Sequence, residues 1–260
     1  MKLRTAAVAD QFYPADRGQL AAQVTDLLQN SNPYPIQPKA LIVPHAGYVY
    51  SGRTAGLAFS LLKSSKNVIN KIVILGPCHR VYLKGAAIPR CEFFETPLGN
   101  VPLDIDCLAK LSQFPQVSIS EEAHILEHSI EVQLPFLQSI FSDFKLIPIV
   151  IGDISGQQLT EVINYLWGNE QTLIVVSSDL SHFLDYQSAI ALDNQTTKAI
   201  ESFQPDKISR EAACGGEGIK ALLNLAQKNH LHVKTLNQCN SADSIGDKNR
   251  VVGYGSYAFY

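Results

Sequence analysis

Short, largely apolar runs separated by helical patterns constrain the fold of this chain more than any other feature of its sequence. The runs are rich in β-branched residues and show no polar alternation, which is typical of strands buried on both faces. They occupy residues 40–43, 71–75, 145–151 and 173–176. A strand that is apolar on both sides needs cover on each face, so these runs predict a central sheet between layers of helices.

The segments between these runs have the apolar periodicity of helices. Apolar residues recur every three or four positions in residues 16–28, 52–62, 129–141, 159–167, 188–203 and 216–228. Two more strand-like runs, 232–236 and 250–260, lie at the end of the chain. The Pro-rich segment at 32–38 is predicted to join a helix to a strand and is too short to separate domains. We therefore expect one domain over residues 1–260, an α/β/α sandwich with a mostly parallel or mixed central sheet.

Charge and cysteine content narrow the classes of function. Lys and Arg total 21 against 24 Asp and Glu, a net charge of −3, so the chain has no overall attraction to nucleic acid or to an anionic membrane. The five cysteines are odd in number and form no CxxC pair, which argues against a disulfide-framed secreted domain. The N-terminus lacks the apolar segment of a signal peptide, and no apolar run has the ~20 residues of a membrane span. We therefore predict a reduced, cytoplasmic protein.

Three of the predicted strands are followed by histidines. His45 follows the run at 40–43, His79 the run at 71–75, and His182 the run at 173–176. A single histidine of this kind is more often a core or capping residue. Parallel α/β sheets bind ligands beyond the carboxyl ends of their strands, where these three side chains are expected to meet. Imidazole is the commonest metal ligand and the usual acid–base group near neutral pH, so the pattern predicts a site of one of these kinds.

A second histidine pair lies in the segment His124-x-x-Glu127-His128. On a helix the two histidines would share one face, and the spacing formally matches the inverted zinc-protease motif. That motif needs a further carboxylate from another helix. The apolar periodicity also predicts that a helix begins near His128, so the pair need not be helical. A zinc hydrolase is therefore retained only as an alternative.

Among the cysteines, Cys239 is the candidate for a metal ligand, because it follows the strand-like run at 232–236. As a thiolate it would complete a site with His45 and His79, whereas an ordinary semi-exposed thiol is the alternative. Cys78 is a rival, but neighbouring residues usually point apart, so Cys78 and His79 seldom bind one ion together. Three more cysteines are interpreted as core or surface residues: Cys91, Cys107 and Cys214.

Ordered blocks of sequence over nearly the whole chain are shared with one known family. They lie at residues 7–14, 44–48, 50–52, 75–79, 96–99, 127–131, 134–137, 177–182, 214–215 and 253–258. In these blocks the chain resembles the Memo family, whose prokaryotic members are called AmmeMemoRadiSam system protein B. That family is similar in fold to the LigB-like class III extradiol dioxygenases, so the resemblance implies a central sheet with helices on both sides.

The resemblance also implies a ligand set for a metal. In the dioxygenases two histidines and a glutamate hold Fe(II), and His45 and His79 match the two histidines. Memo proteins have a cysteine at the third position, which the resemblance assigns to Cys239. A thiolate in place of a carboxylate makes a site softer. The implied cofactor is therefore one transition-metal ion, iron or copper, with zinc possible.

Three further residues are implied to act in the pocket. His182 falls where the dioxygenases place their acid–base histidine, His128 falls near a second pocket histidine, and Asp179 belongs to the same family motif. A metal-dependent redox or metal-handling protein is the first hypothesis. A non-catalytic protein that binds a peptide or small molecule in the same pocket is the second. The family names also imply association with AMMECR1-like and radical SAM proteins.

Overall fold

The computed structural model describes residues 2–29 and 36–260, so residues 32–35 of the Pro-rich segment lie outside the described residues. The strands are β1 (Leu3–Arg4), β2 (Ala40–Val43), β3 (Lys71–Pro77), β4 (Ala86–Ile88), β5 (Phe93–Thr96), β6 (Gly99–Pro102), β7 (Val117–Ile119), β8 (Lys145–Ile151), β9 (Thr172–Ser177), β10 (His182–Leu184), β11 (Val233–Asn240) and β12 (Val251–Phe259). The α-helices are α1 (Arg17–Gln29), α2 (Tyr48–Ser60), α3 (Ile105–Leu111), α4 (Glu122–Ile125), α5 (Leu134–Ile140), α6 (Gly156–Leu166), α7 (Tyr186–Glu201), α8 (Gly216–Lys228) and α9 (Ala242–Ile245). Short 3₁₀-helices occupy Leu61–Ser65, Glu131–Gln133 and Pro205–Lys207.

The large sheet has the strand order β10-β12-β2-β9-β3-β8-β4-β7, and β11 also pairs with β12. Its centre is parallel, because β2 and β3 both run parallel to β9 and β3 runs parallel to β8. Antiparallel pairs flank this centre, where β12 meets β2 and β4 meets β8. A second, small sheet has the order β1-β5-β6. The central sheet, predicted to be mostly parallel or mixed, is therefore confirmed, and it is mixed with a parallel centre.

Helices flank the large sheet and bury its central strands. Every residue of β2 and β9 is buried, as the apolar runs predicted. α6 packs against α8, and α1 packs against α2 and α5. The predicted α/β/α fold is confirmed. No helix within residues 2–29 and 36–260 has the length and apolar character needed to cross a bilayer.

The predicted helix at 129–141 does not form as one element. A 3₁₀-helix covers Glu131–Gln133, and α5 begins only at Leu134. Pro135 lies in the first turn of α5, where a missing N–H costs nothing because the groups there have no intrahelical partner. Further into a continuous helix the same ring would clash with the carbonyl of Glu131, so the regular helix starts late.

Candidate metal centre

Three imidazoles converge at the carboxyl edge of the parallel strands. His45, His79 and His128 each offer one ring nitrogen, and these atoms all lie within 4.8 Å of one another. The ring centroids are 5.2 Å apart for His45 and His79, 5.4 Å for His45 and His128, and 4.8 Å for His79 and His128. His45 is buried, whereas the other two are partly exposed. Nitrogen donors at this spacing can surround one small cation.

The sheet topology explains why these residues meet. β2 and β3 lie on the two sides of β9 and run parallel to it, so all three strands end at the same edge. His45 and His79 therefore lie on the two sides of the end of β9. His128 lies in the segment that follows α4. The hydroxyl of the adjacent Ser129 donates to the carbonyl of Pro77 at 2.9 Å. That bond holds this segment against the end of β3.

The carboxylate of Glu127 organises the more exposed part of the cluster. It accepts the backbone N–H of His79 at 2.6 Å and lies 3.0 Å from its Nδ1. It also accepts the backbone N–H groups of His128 and Ser129, both at 2.9 Å. Burial alone would raise its pKa, but contacts with His128 and His79 hold the pKa of Glu127 well below its usual value. An ionised carboxylate can only accept, so Nδ1 of His79 carries the proton and its Nε2 is free to bind a ligand.

His128 is held by its backbone more than by its ring. Its Nδ1 lies 3.2 Å from Glu127 Oε1 as an electrostatic contact, but the geometry is not that of a hydrogen bond. The ring packs against Phe12, with centroids 4.6 Å apart. A buried ring nitrogen without a hydrogen-bond partner is costly, and binding a ligand is one way to satisfy it.

His45 is the most enclosed of the three imidazoles. Its Nδ1 lies 2.9 Å from Ser177 Oγ, and its backbone N–H donates to Asp179 Oδ1 at 2.7 Å. Burial, followed by the repulsive charges of His79 and His128, holds the pKa of His45 well below 6.5. The ring is therefore neutral near neutral pH, which is the form in which imidazole binds metals.

A cleft of about 370 Å³ opens beside the cluster. The three residues predicted to act in the pocket all line it: His128, Asp179 and His182. Burial raises the pKa of Asp179, whose Oδ2 lies 3.9 Å from His45 Nε2. His182 begins β10, and the backbone N–H of the preceding Ser181 donates to Asp193 Oδ1 of α7 at 3.0 Å. The chemical roles of these pocket residues stay predictions.

The structure does not bring Cys239 to the imidazoles. Its thiol lies 3.1 Å from Thr54 Oγ1 on α2, and it is not among the converging donors of the described chain. The reason is topological, because β12 lies between β11, which carries Cys239, and β2. Here the expected ligand set of His45, His79 and Cys239 needs correction.

Cys214, and not Cys239, is the cysteine that contacts one of the three imidazoles. Its Sγ lies 3.4 Å from His45 Nε2 and 3.7 Å from the carbonyl oxygen of Asp179. The residue directly precedes Gly215, the N-cap of α8. Burial, followed by the charge of Asp179, raises the pKa of the Cys214 thiol. The structure thus places Cys214 in contact with His45, one of the two histidines expected to bind the metal.

The inverted zinc-protease arrangement does not form. α4 ends at Ile125, so His124 and His128 do not share a helix face. His124 is buried, and its Nε2 lies 3.0 Å from the carbonyl oxygen of Ala87, an acceptor. Burial lowers the pKa of His124 to about 3. This imidazole is packed in the core and contacts the Ala87 carbonyl. It is not one of the converging donors of the described chain.

Sequence comparison agrees with the blocks noted above. A family model described as Memo-like protein matches residues 4–258. The chain belongs to the Memo family. A MEMO1 family protein of Thermoplasma volcanium is 34% identical, with 98% of this chain and 97% of the relative covered. Those of Aquifex aeolicus and Nitrosopumilus maritimus are 34% and 35% identical, with 98% and 99% of this chain covered and the same shares of the relatives.

The fold of this Memo family chain is also found in a solved structure. An uncharacterised protein from Escherichia coli K12 matches with a TM-score of 0.53 at 13% identity, covering 85% of this chain and 99% of that chain. At this identity the likeness shows a shared fold and carries no statement about activity.

Two important residues of the site were not predicted from the sequence. The sequence patterns include Glu127 only in the zinc-protease motif and predict a core or surface position for Cys214. Both lie in blocks shared with the Memo family, at 127–131 and 214–215. Cys214 also lies two residues before the predicted helix at 216–228, near the edge of the sheet where ligands bind. The shared blocks and the position of Cys214 before a helix were the sequence features that could have pointed to these two residues.

Proposed function

We propose that this Memo family chain binds one transition-metal ion and uses it in redox or metal-handling chemistry. His45, His79 and His128 would supply nitrogen ligands, and Cys214 a sulfur ligand. The observation that carries the proposal is the convergence of the three imidazoles within 4.8 Å. Glu127 and Ser177 contact the Nδ1 atoms of His79 and His45, which is how proteins usually orient metal-binding histidines.

The donor chemistry fits iron or copper, with zinc as an alternative. Imidazole suits all three metals, whereas a thiolate favours softer ions and would have to lose its proton on binding. When bound, the ion would supply Lewis-acid or electron-transfer chemistry. Cys239 is not part of this proposal, because its thiol contacts Thr54.

The residues of the cleft would handle protons and orient the substrate. His182 is the candidate acid–base group, and a positioned imidazole can contribute roughly 10²–10⁴-fold to a rate. Asp179 anchors the backbone of His45 through the bond to its N–H. His128 borders both the cluster and the cleft, so it is suited to contact whatever binds between them.

A non-catalytic binding protein is the second candidate. It is favoured by the aromatic part of the cleft, where Phe12, Tyr50 and Tyr254 offer apolar contacts to a peptide or small molecule. Association with AMMECR1-like and radical SAM proteins remains part of the proposal. So does a cytoplasmic location, with which the five free cysteines are consistent.

Metal analysis after anaerobic purification tests the main proposal. We expect close to one iron or copper ion per chain in the wild type and large losses in His45→Ala and His79→Ala. Cys214→Ser is expected to weaken binding, and Cys239→Ser is the matched control that keeps it. A wild-type protein that holds no transition metal would contradict the proposal. Loss of metal in Cys239→Ser with retention in Cys214→Ser would contradict the ligand set.

Oxygen uptake separates the enzyme from the binding protein. The metal-loaded protein would be assayed with a panel of reduced substrates, alongside His182→Ala. Turnover that depends on His182 supports the redox enzyme. Ligand binding to the cleft without turnover supports the second candidate.

A further inference from the structure

A buried hydroxyl lies behind His45. Ser177, the last residue of β9, is fully buried, and its Oγ has three polar neighbours. These are the carbonyl oxygen of Ser129 at 2.5 Å, Nε2 of Gln133 at 2.9 Å and Nδ1 of His45 at 2.9 Å. Gln133 is also fully buried, and its Nε2 makes a second contact with the carbonyl oxygen of Pro44 at 2.9 Å.

The proton positions follow from which of these atoms can donate. The carbonyl oxygens of Ser129 and Pro44 are acceptors only. The one proton of the Ser177 hydroxyl must therefore point to Ser129, because two acceptor oxygens 2.5 Å apart would repel each other. For the same reason the Gln133 atom that faces Pro44 must be its nitrogen. Gln133 then donates one proton to Pro44 and the other to Ser177 Oγ.

Only one acceptor position remains on Ser177 Oγ, and His45 Nδ1 faces it. A hydroxyl whose proton is already used can only accept there, so Nδ1 must be the donor. We propose that Ser177, anchored by Gln133, is a positioning residue that holds His45 in the Nδ1–H tautomer. The lone pair on Nε2 is then presented to the side where Cys214 Sγ lies 3.4 Å away.

The role of Ser177 in metal binding rests on the proposed function. The tautomer of His45 can be measured in the metal-free protein and does not depend on that function. A metal ligand needs the lone pair of Nε2, and the Nε2–H tautomer would turn a proton toward the site. The amide oxygen of Gln133 has no hydrogen-bond partner. A buried acceptor left unpaired is unfavourable, so the amide is placed for the two bonds that its nitrogen donates.

The test is the protonation of His45 in metal-free protein labelled with ¹⁵N. Two-bond ¹H–¹⁵N correlation spectra report which ring nitrogen carries the proton, and comparison with His45→Gln assigns the signals. We expect Nδ1–H in the wild type. In Ser177→Ala the acceptor is lost, and the signals should move toward Nε2–H. Ser177→Thr restores a hydroxyl and is expected to restore the Nδ1–H form.

Co(II) titration provides the second readout on the same proteins. Loss of an outer-shell partner typically weakens metal binding roughly 10–100-fold, which is the decrease expected for Ser177→Ala. Ser256→Ala is the matched control, because Ser256 is an equally buried strand serine whose hydroxyl has no partner. It should change neither the tautomer nor Co(II) affinity.

Two results would overturn the assignment. One is an Nε2–H form of His45 in the wild type, a result that does not depend on whether any variant folds. The other is a folded Ser177→Ala protein that keeps Nδ1–H unchanged. A wild type that shows Nδ1–H but fails to bind Co(II) and holds no iron, copper or zinc would support the tautomer assignment while contradicting the proposed function, so the two failures are distinguishable.

Discussion

Glu127 shows how a single buried carboxylate can prepare a site without binding in it. It accepts from the backbone of His79, His128 and Ser129 and contacts the ring of His79. Glu127→Gln keeps the shape, removes the charge and turns an N–H₂ group toward these donors. We expect Co(II) affinity to fall roughly 10–100-fold and the free energy of unfolding to fall by about 1–3 kcal/mol.

Co(II) titration and urea unfolding measure the two effects. Glu122→Gln is the control, because Glu122 is an exposed glutamate at the start of α4, five positions before Glu127 in the chain. It should leave both quantities unchanged. Equal Co(II) affinity in Glu127→Gln and the wild type would show that Glu127 does not orient His79.

His124 makes folding sensitive to acid. Its pKa is lowered to about 3, mainly by burial; the carbonyl of Ala87 opposes this shift, the nearby Arg4 adds to it, and the charge of Glu127 opposes it. Between pH 6.5 and about 3 the unfolded chain therefore binds a proton that the folded chain does not. The free energy of unfolding falls with falling pH in that window, by up to ~1.4 kcal/mol per pH unit from this group.

His124→Gln removes this dependence and keeps an N–H donor for Ala87. Urea unfolding at pH 7 and pH 5 is expected to show a loss of stability that is smaller by about 2 kcal/mol in the variant than in the wild type. The same difference between the two pH values in both proteins would mean that His124 is protonated in the folded state.

The sequence predicted the residues of the site unevenly. His45 and His79 could be found because each follows a strand, and strand ends share an edge. The choice between Cys214 and Cys239 could not be made in this way, because both follow or precede regular elements. It depends on the position of β11 beyond β12, which is a long-range pairing and not a local pattern. The orienting role of Ser177 is equally invisible without the packed structure.

A buried ion pair joins β1 to the 3₁₀-helix that follows His128. Arg4 Nη1 lies 2.7 Å from Glu131 Oε2, and both side chains are almost fully enclosed. Glu131 also accepts from the backbone of Ala7 and Val8 and from the hydroxyl of Tyr13. The 3₁₀-helix that replaces the predicted regular helix is thereby tied to β1 and the loop after it.

Glu131→Gln is expected to destabilise the protein by about 3–5 kcal/mol, because the charge of Arg4 is left buried without its partner. Asp153→Asn is the control, since it breaks the pair between Arg210 and Asp153, whose side chains are 73% and 57% exposed. A surface pair of this kind contributes at most about 1 kcal/mol. Urea unfolding measures both, and equal losses would contradict the expectation.

Local patterns predicted the regular elements well where strands were buried on both faces. The runs at 40–43 and 145–151 coincide with β2 and β8. Prediction failed at 129–141, where the same apolar periodicity covers a 3₁₀-helix and a short α-helix. There the conformation is set by Pro135 and by the contacts of Glu131, and only the first of these can be read from neighbouring residues.

The candidate donors come from segments that are distant in sequence. His45 and His79 follow β2 and β3, His128 follows α4, and Cys214 precedes α8. The unfolded chain holds these groups far apart and cannot bring them to one ion without folding. A metal that binds only the folded state stabilises it by RT ln(1 + [L]/Kd), about 2.7 kcal/mol at a concentration of 100 Kd.

Thermal unfolding with and without Zn(II) therefore tests whether the site closes as one unit. At 100 Kd we expect the wild-type Tm to rise by about 5–10 °C, since each kcal/mol corresponds to roughly 2–4 °C in a chain of this size. His45→Ala should lose this rise, Cys214→Ser should show a smaller one, and Cys239→Ser should match the wild type, because its thiol faces Thr54. An unchanged rise in His45→Ala would place the bound metal elsewhere on the molecule.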